Sequence, residues 1–304
     1  MRKPGAPLTG AKQSMASWAN AIESRAEVPE VYRSLVDSLI GEERALPYMV
    51  LAPPVVGAAR GDADTLLFET DGVLYVVARA ADRLTPTGYP LAHLRDVEVG
   101  NILLYAWFAV SGVTTEETLH TSAIEFNTAT RDRFDPLLTR IRSALGEGTA
   151  PVLNAEQDCL DALAEDNFKF ANYARESLVE HENVIDLVWQ PEIRESFVPW
   201  LRLPFSRTVT TAHLVLLTDR ELILIREDER SRRNRGVRYG GVWRYIPLRS
   251  VASASVTVDE ALVTLSIRLA PEGSISRHFA LDKRDEVERV RTAIESAIAE
   301  QPSG

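Results

Sequence analysis

Cysteine is almost absent from this chain: Cys159 is the only one in 304 residues. An internal disulfide framework and a cysteine-rich metal site are both excluded on that ground. Long apolar runs are missing too. The longest, Ile102 to Val110, is nine residues, where a membrane-spanning helix needs about 20. The opening residues, MRKPGAPLTGAKQS, carry charge but no apolar core, so no secretory leader is expected there. The net charge of −10 argues against a surface made for nucleic acid or for an anionic membrane. Lysine is scarce, occurring only at Lys3, Lys12, Lys169 and Lys283, while the other 30 of the 34 basic residues are arginine. What remains is the expectation of a cytoplasmic globular protein, which 45% hydrophobic and 26% charged residues support. The length suffices for two domains with real cores.

Catalytic signatures are also lacking. The chain has no P-loop and no G-x-S-x-G. The five histidines, His93, His120, His181, His213 and His278, stand singly, without the spacing of a metal site. They read as surface or cross-strand histidines, and no cofactor or metal is expected. Cys159, in a helical segment, reads as a packed thiol rather than a nucleophile. One stretch, HLRDVEVGNILL at 93–104, is similar to the catalytic loop of protein kinases, with Asp96 and Asn101 at the required spacing. A kinase also needs a phosphate-binding lysine and a glycine-rich loop upstream. Only Lys3 and Lys12 precede Asp96, no G-x-G-x-x-G occurs before it, and no D-F-G follows Asn101. The stretch therefore reads as a strand and turn.

What the chain does contain is a repeat of itself. TLLFETDGVLYVVAR (65–79) and HLVLLTDRELILIRE (213–227) are each an apolar strand, a Thr-Asp turn and a second apolar strand. Pro90-Leu91 matches Pro247-Leu248, and SLIGEERALPYMVLAPP (38–54) matches SLVEHENVIDLVWQPE (177–192). Each copy closes on an amphipathic pattern. Phe134, Leu137, Ile141, Ala144 and Leu145 answer to Val287, Val290, Ile294, Ala297 and Ile298, at helical steps of three and four. The offset between copies runs through 139, 148, 157 and 153 residues, as loop insertions produce. A period this long means two domains rather than a solenoid. The expected plan is an N-terminal arm (1–30) with a short helix near Trp18–Arg25, domain 1 (31–146), a linker and helix (147–176), and domain 2 (177–300). About seven antiparallel strands and one closing helix per copy make an α+β protein.

LVLLTDRELILI, WRYIPLRSVASASV, an alternating hairpin and an amphipathic final helix together resemble the bacterial pleckstrin-homology-like (PH-like) domains, over roughly 38–145 and 177–300. The resemblance implies two tandem half-open barrels, each capped by its C-terminal helix. It also implies a binding or assembly module rather than an enzyme, with a homo-oligomer or a protein partner. The basic motif by which eukaryotic relatives read phosphoinositides would lie between the first two strands. No Lys-x-Arg occurs there in either copy, which argues against lipid-headgroup recognition.

Two places differ between the copies. From the Thr-Asp turn to Pro-Leu, copy two is nine residues longer (28 against 19), and the excess carries Arg230, Arg232, Arg233, Arg235 and Arg238. That segment is a candidate for binding an anion, as phosphate, phospholipid headgroup, acidic partner or RNA, or a solvated loop. The facing of Leu265, Ile267 and Leu269 predicts Ala106, Phe108 and Val110 inward and Tyr105 and Trp107 outward. Outward aromatics mark a covered face, so Tyr105 and Trp107 are the interface candidates.

Overall fold

The computed structural model describes residues 18–54, 64–81, 83–144, 155–196, 206–228 and 240–301. The protein is mixed α+β with antiparallel sheets and a C-terminal helix, and among the described residues no sheet closes on itself. It divides into two units, Met1–Leu94 with Leu103–Ala144, and Arg95–Ile102 with Leu145–Gly304.

The first unit starts with β1 (Asn20–Ile22), helix α1 (Glu30–Ile40), β2 (Met49–Ala52), β3 (Asp64–Thr70), β4 (Val73–Ala80) and β5 (Arg83–Pro90). These five strands pair in sequence order. The helix expected near Trp18–Arg25 is instead β1 followed by a 3-10 turn, Arg25–Glu27. Ile22 and Val28 are drawn into the core beside Tyr32, Val36 and Ile40, and burying these apolar residues outweighs a short helix with no cap. Tyr32, Val36 and Ile40 recur every four residues, so α1 lays one stripe on Met49, Leu66 and Phe68. Asp71 and Gly72 turn β3 into β4 with φ of 52° and 74°, the mirror-image turn that matches strand twist.

Strand β6 (Leu94–Ile102) is followed by the hairpin β7 (Tyr105–Val113) and β8 (Leu119–Asn127), then α2 (Asp135–Ala144). Ala106, Phe108 and Val110 are fully buried, on the inward face expected for them. Phe134 stacks on Phe108 and Phe126, with centroids 5.8 and 4.0 Å apart. Leu137 and Ile141 continue that stripe. Ala144, counted in it from the sequence, is exposed, and Leu145 lies outside the described residues.

In the second unit α3 (Ala155–Asp166) and α4 (Phe168–Ser177) lead into β9 (Val184–Gln190), the small hairpin β10 (Ile193–Ser196) and β11 (Ser206–Thr210), and β12 (His213–Thr218). Then come β13 (Glu221–Arg226), β14 (Gly241–Pro247), β15 (Val251–Val258), β16 (Val263–Leu269), β17 (Ser274–Phe279) and α5 (Arg284–Ala299). The segment 155–178 reads as one helix in sequence, but it breaks at Asn167, whose side-chain oxygen accepts the Phe170 N–H at 3.1 Å and caps α4.

Strands β6, β14, β13, β12 and β9 are neighbours in that order, and β15, β16 and β17 form a second sheet. The continuous apolar runs HLVLLT and ELILI are buried throughout because both faces of this sheet are covered. On one face Phe170 and Tyr173 of α4 meet Trp189 and Trp243, with centroids 4.3 and 4.8 Å apart. On the other, Val215, Leu217, Leu222 and Leu224 join Leu265, Ile267 and Leu269 and the α5 residues Val287, Val290 and Ile294 in one core. Each such fully buried aliphatic side chain contributes about 1.5–3 kcal/mol relative to exposure.

Among the described residues seven strands and a closing helix follow in the same order in both copies, and the second copy also has the hairpin β10–β11 between its first two. The sets are β2, β3, β4, β5, β6, β7, β8, α2 and β9, β12, β13, β14, β15, β16, β17, α5. Each is also preceded by a helix, α1 or α4, with the matched Ser-Leu pairs at its end: Ser38-Leu39 in the last turn of α1, and Ser177 the last residue of α4.

Candidate functional site

Three strands of the second unit carry inward rows that are apolar except at one position. On β12 the row is His213, Val215, Leu217; on β13 it is Leu222, Leu224, Arg226; on β17 it is Ile275, Arg277, Phe279. His213 and Arg226 are direct cross-strand partners, so their side chains share a face. The three rows bring His213, Arg226 and Arg277 to one open pocket of about 260 Å³, which Thr210, Thr211 and His278 also line.

His213 is 1% exposed. Its Nδ1 lies 2.9 Å from the Thr211 carbonyl oxygen, which only accepts, so the ring proton sits on Nδ1 and Nε2 carries the lone pair. Nε2 is buried without a hydrogen-bond partner among the described residues. Burial pushes this imidazole down to about 4; the Thr211 carbonyl opposes the shift, and Arg277 and His278 add to it. The ring also meets Phe279 edge-on, with centroids 4.9 Å apart. His278 turns to the other side of β17 and shares a hydrogen bond between Nδ1 and Thr264 Oγ1 at 3.0 Å. Among the described residues the lining holds Arg226, Arg277, His213, His278 and threonine hydroxyls, and no carboxylate. Such a lining suits a small anion.

The sequence treats the five histidines as isolated. The fold places His213 and His278 at one pocket, while His93, His120 and His181 are exposed. No group of three or more metal-ligating side chains occurs among the described residues. A smaller pocket of about 180 Å³ in the first unit is lined by Thr85, Thr87, Thr114, Thr115, Thr118 and His120. Counting from the Thr-Asp turns, His213 and Arg226 correspond to Thr65 and Ala78, which are likewise cross-strand partners. The His–Arg pair belongs to copy two alone, and matching the copies position by position would have found it.

The arginines singled out from the sequence, Arg230, Arg232, Arg233, Arg235 and Arg238, lie outside the described residues. Tyr105 is half-buried and Trp107 is 6% exposed, their rings 5.7 Å apart. Cys159 is partly buried on α3. In the kinase-like stretch Asp96 is buried in β6, one carboxylate oxygen on Arg95 Nε and the other on Arg244 Nε, each at 2.9 Å. The side-chain oxygen of Asn101 accepts the Gly241 N–H at 3.2 Å. Asp96 and Asn101 thus fasten β6 to β14.

No helix among the described residues is long and apolar enough to cross a membrane. No model of a known protein family matches the chain, and no curated protein matches it significantly.

Proposed function

We propose that the chain is a non-catalytic interaction and assembly module of the cytoplasm, built from two tandem PH-like domains. The observation that supports this is the repeated order of seven strands and a closing helix, preceded in both copies by a helix with a matched Ser-Leu pair at its C-terminal end. Tyr105 and Trp107 form the packing face of the first domain in this reading. Light scattering over a tenfold concentration range tests it. A stable multiple of 33.8 kDa is expected, with the multiple lost or the fold weakened in Trp107→Ser. A monomer at every concentration, with Trp107→Ser unchanged in mass and stability, would remove the assembly role.

The pocket of His213, Arg226 and Arg277 favours a second reading, in which the second domain binds a small anion. The arginines from Arg230 to Arg238 follow Arg226 in sequence. Salt dependence is the test: binding through guanidinium groups weakens steeply between low and physiological ionic strength, and salt-independent binding would count against it.

A further inference from the structure

The edge strand of a sheet presents a row of unpaired N–H and C=O groups, and proteins guard it with charge, proline or a covering element. Strand β15 ends the sheet that it forms with β16 and β17. Its sequence, VASASVTV, holds no charged residue and no proline. The other strands that end a sheet of three or more strands, apart from the three-residue β1, all hold one: Arg83, Pro86 and Pro90 in β5, Glu125 in β8, Asp186 in β9 and Arg277 in β17. The Asp259 N–H donates to the Leu262 carbonyl at 3.0 Å and closes the hairpin of β15 and β16. Alternation then turns the backbone groups of Ser255 and Thr257 toward β16, and those of Ala254, Val256 and Val258 away from it. Glu295 of α5 accepts the Ala254 N–H at 2.6 Å. The N–H and C=O groups of Val256 and Val258 have no partner among the described residues.

The repeat shows what such an edge takes. Counting from the Pro-Leu pairs, Val97, Val99 and Asn101 of β6 correspond to Ala254, Val256 and Val258. The edge of β6 is filled by an antiparallel strand, β14, from Val97 opposite Tyr245 to Asn101 opposite Gly241. The copy-one match of β14 is β5, which is unfit to fill β15 of a neighbouring chain in the same way. Pro86 stands where β14 has Trp243, so an N–H is missing, and the Gly88 carbonyl already accepts the Thr115 N–H at 2.9 Å. The strand that fits β15 is β15 itself. Resting on the assembly reading, we infer that two copies of the chain join by antiparallel pairing of their β15 edges about a two-fold axis through Thr257. This register sets Val256 against Val258 of the second copy and Val258 against Val256, so every free N–H and C=O group of both residues is paired. Asp259 then lies opposite Ser255 and Glu260 opposite Ala254, so no like charges meet. The Val258 side chain, 44% exposed, is covered. A two-fold contact of this kind closes at two copies instead of propagating into a fibre.

The experiment is light scattering of the full chain, the parent beside Val258→Pro and Val258→Lys, with circular dichroism to confirm that each is folded. Proline deletes an N–H that only the second copy uses, and lysine guards the edge from an exposed position, so the lysine variant serves if the proline variant misfolds. The parent is expected at twice 33.8 kDa and both variants at 33.8 kDa. A tetramer that the variants reduce to a dimer supports the inference equally, with the Tyr105 and Trp107 face making the other contact. The register has its own readout. Thr257→Cys places two thiols at the axis, with Cα atoms about 4.5 Å apart, and should give a covalent dimer on oxidation with diamide. Ser255→Cys and the parent, which carries only Cys159, should not. An oligomer that both variants leave intact, with no cross-link in Thr257→Cys, would overturn the inference and leave the assembly reading standing. A parent that is monomeric at every concentration would overturn both.

Discussion

A single buried imidazole sets the clearest pH dependence in this protein. His213 holds its pKa near 4 when folded, against about 6.5 for an exposed histidine. The unfolded chain therefore takes up the proton first as pH falls. Stability is fully present above about pH 6.5 and is lost as pH drops toward 4, by about 3 kcal/mol in all. Urea unfolding at pH 7 and at pH 4.5 measures that loss, and His213→Phe should flatten this part of the slope. If the variant loses as much stability on acidification as the parent, other groups are responsible. The cross-strand pair His213–Arg226 was legible in principle, since copy one has Thr65–Ala78 at the matched places. Arg277 was not, because alternation puts it on the face of Ile275 and Phe279 but does not say that this face meets the His213 end of β12.

At the scale of elements, the same dipeptide makes different turns. Thr70-Asp71 leads into Gly72, and both central residues adopt positive φ. Thr218-Asp219 leads into Arg220, where a left-handed conformation is costly. There the Thr218 hydroxyl oxygen accepts the Glu221 N–H at 3.0 Å. Asp219 meanwhile accepts both the backbone and the side-chain N–H of Asn183, at 3.0 and 2.9 Å. Hairpin existence followed from the apolar–turn–apolar pattern, but turn geometry depended on neighbours distant in sequence. The break between α3 and α4 is likewise carried by one side chain. Replacing Asn167 by alanine should cost about 1 kcal/mol through loss of the cap, seen as a lower thermal midpoint. No change in midpoint would mean that packing of Phe170 and Tyr173 alone holds α4.

For the whole molecule, the kinase-like stretch marks a strand that groups away from its sequence neighbours. Residues 95–102 sit between segments of the first unit in sequence, yet they group with the second through pairing of β6 with β14, from Asn101 opposite Gly241 to Val97 opposite Tyr245. Asp96 bridges Arg95 and Arg244 at that junction, and Arg95 also donates to the Glu272 carbonyl at 3.0 Å. Removing the carboxylate in Asp96→Ala leaves two largely buried arginines without their shared counter-ion and should cost about 3–5 kcal/mol. Thermal unfolding measures this, and a loss under 1 kcal/mol would show that the backbone ladder suffices. The main strands of each copy, the two closing helices and the repeated order were legible in the sequence alone, because apolar periodicity acts over a few residues and each copy states it independently, whereas β1 and the β10–β11 hairpin were not. The exchange of β6 into the second unit and the convergence of His213, Arg226 and Arg277 were decided only by tertiary structure. Both depend on which strands lie side by side, a choice made by burial between residues far apart in the chain, about 140 positions for β6 and β14 and 64 for His213 and Arg277, that leaves no local mark.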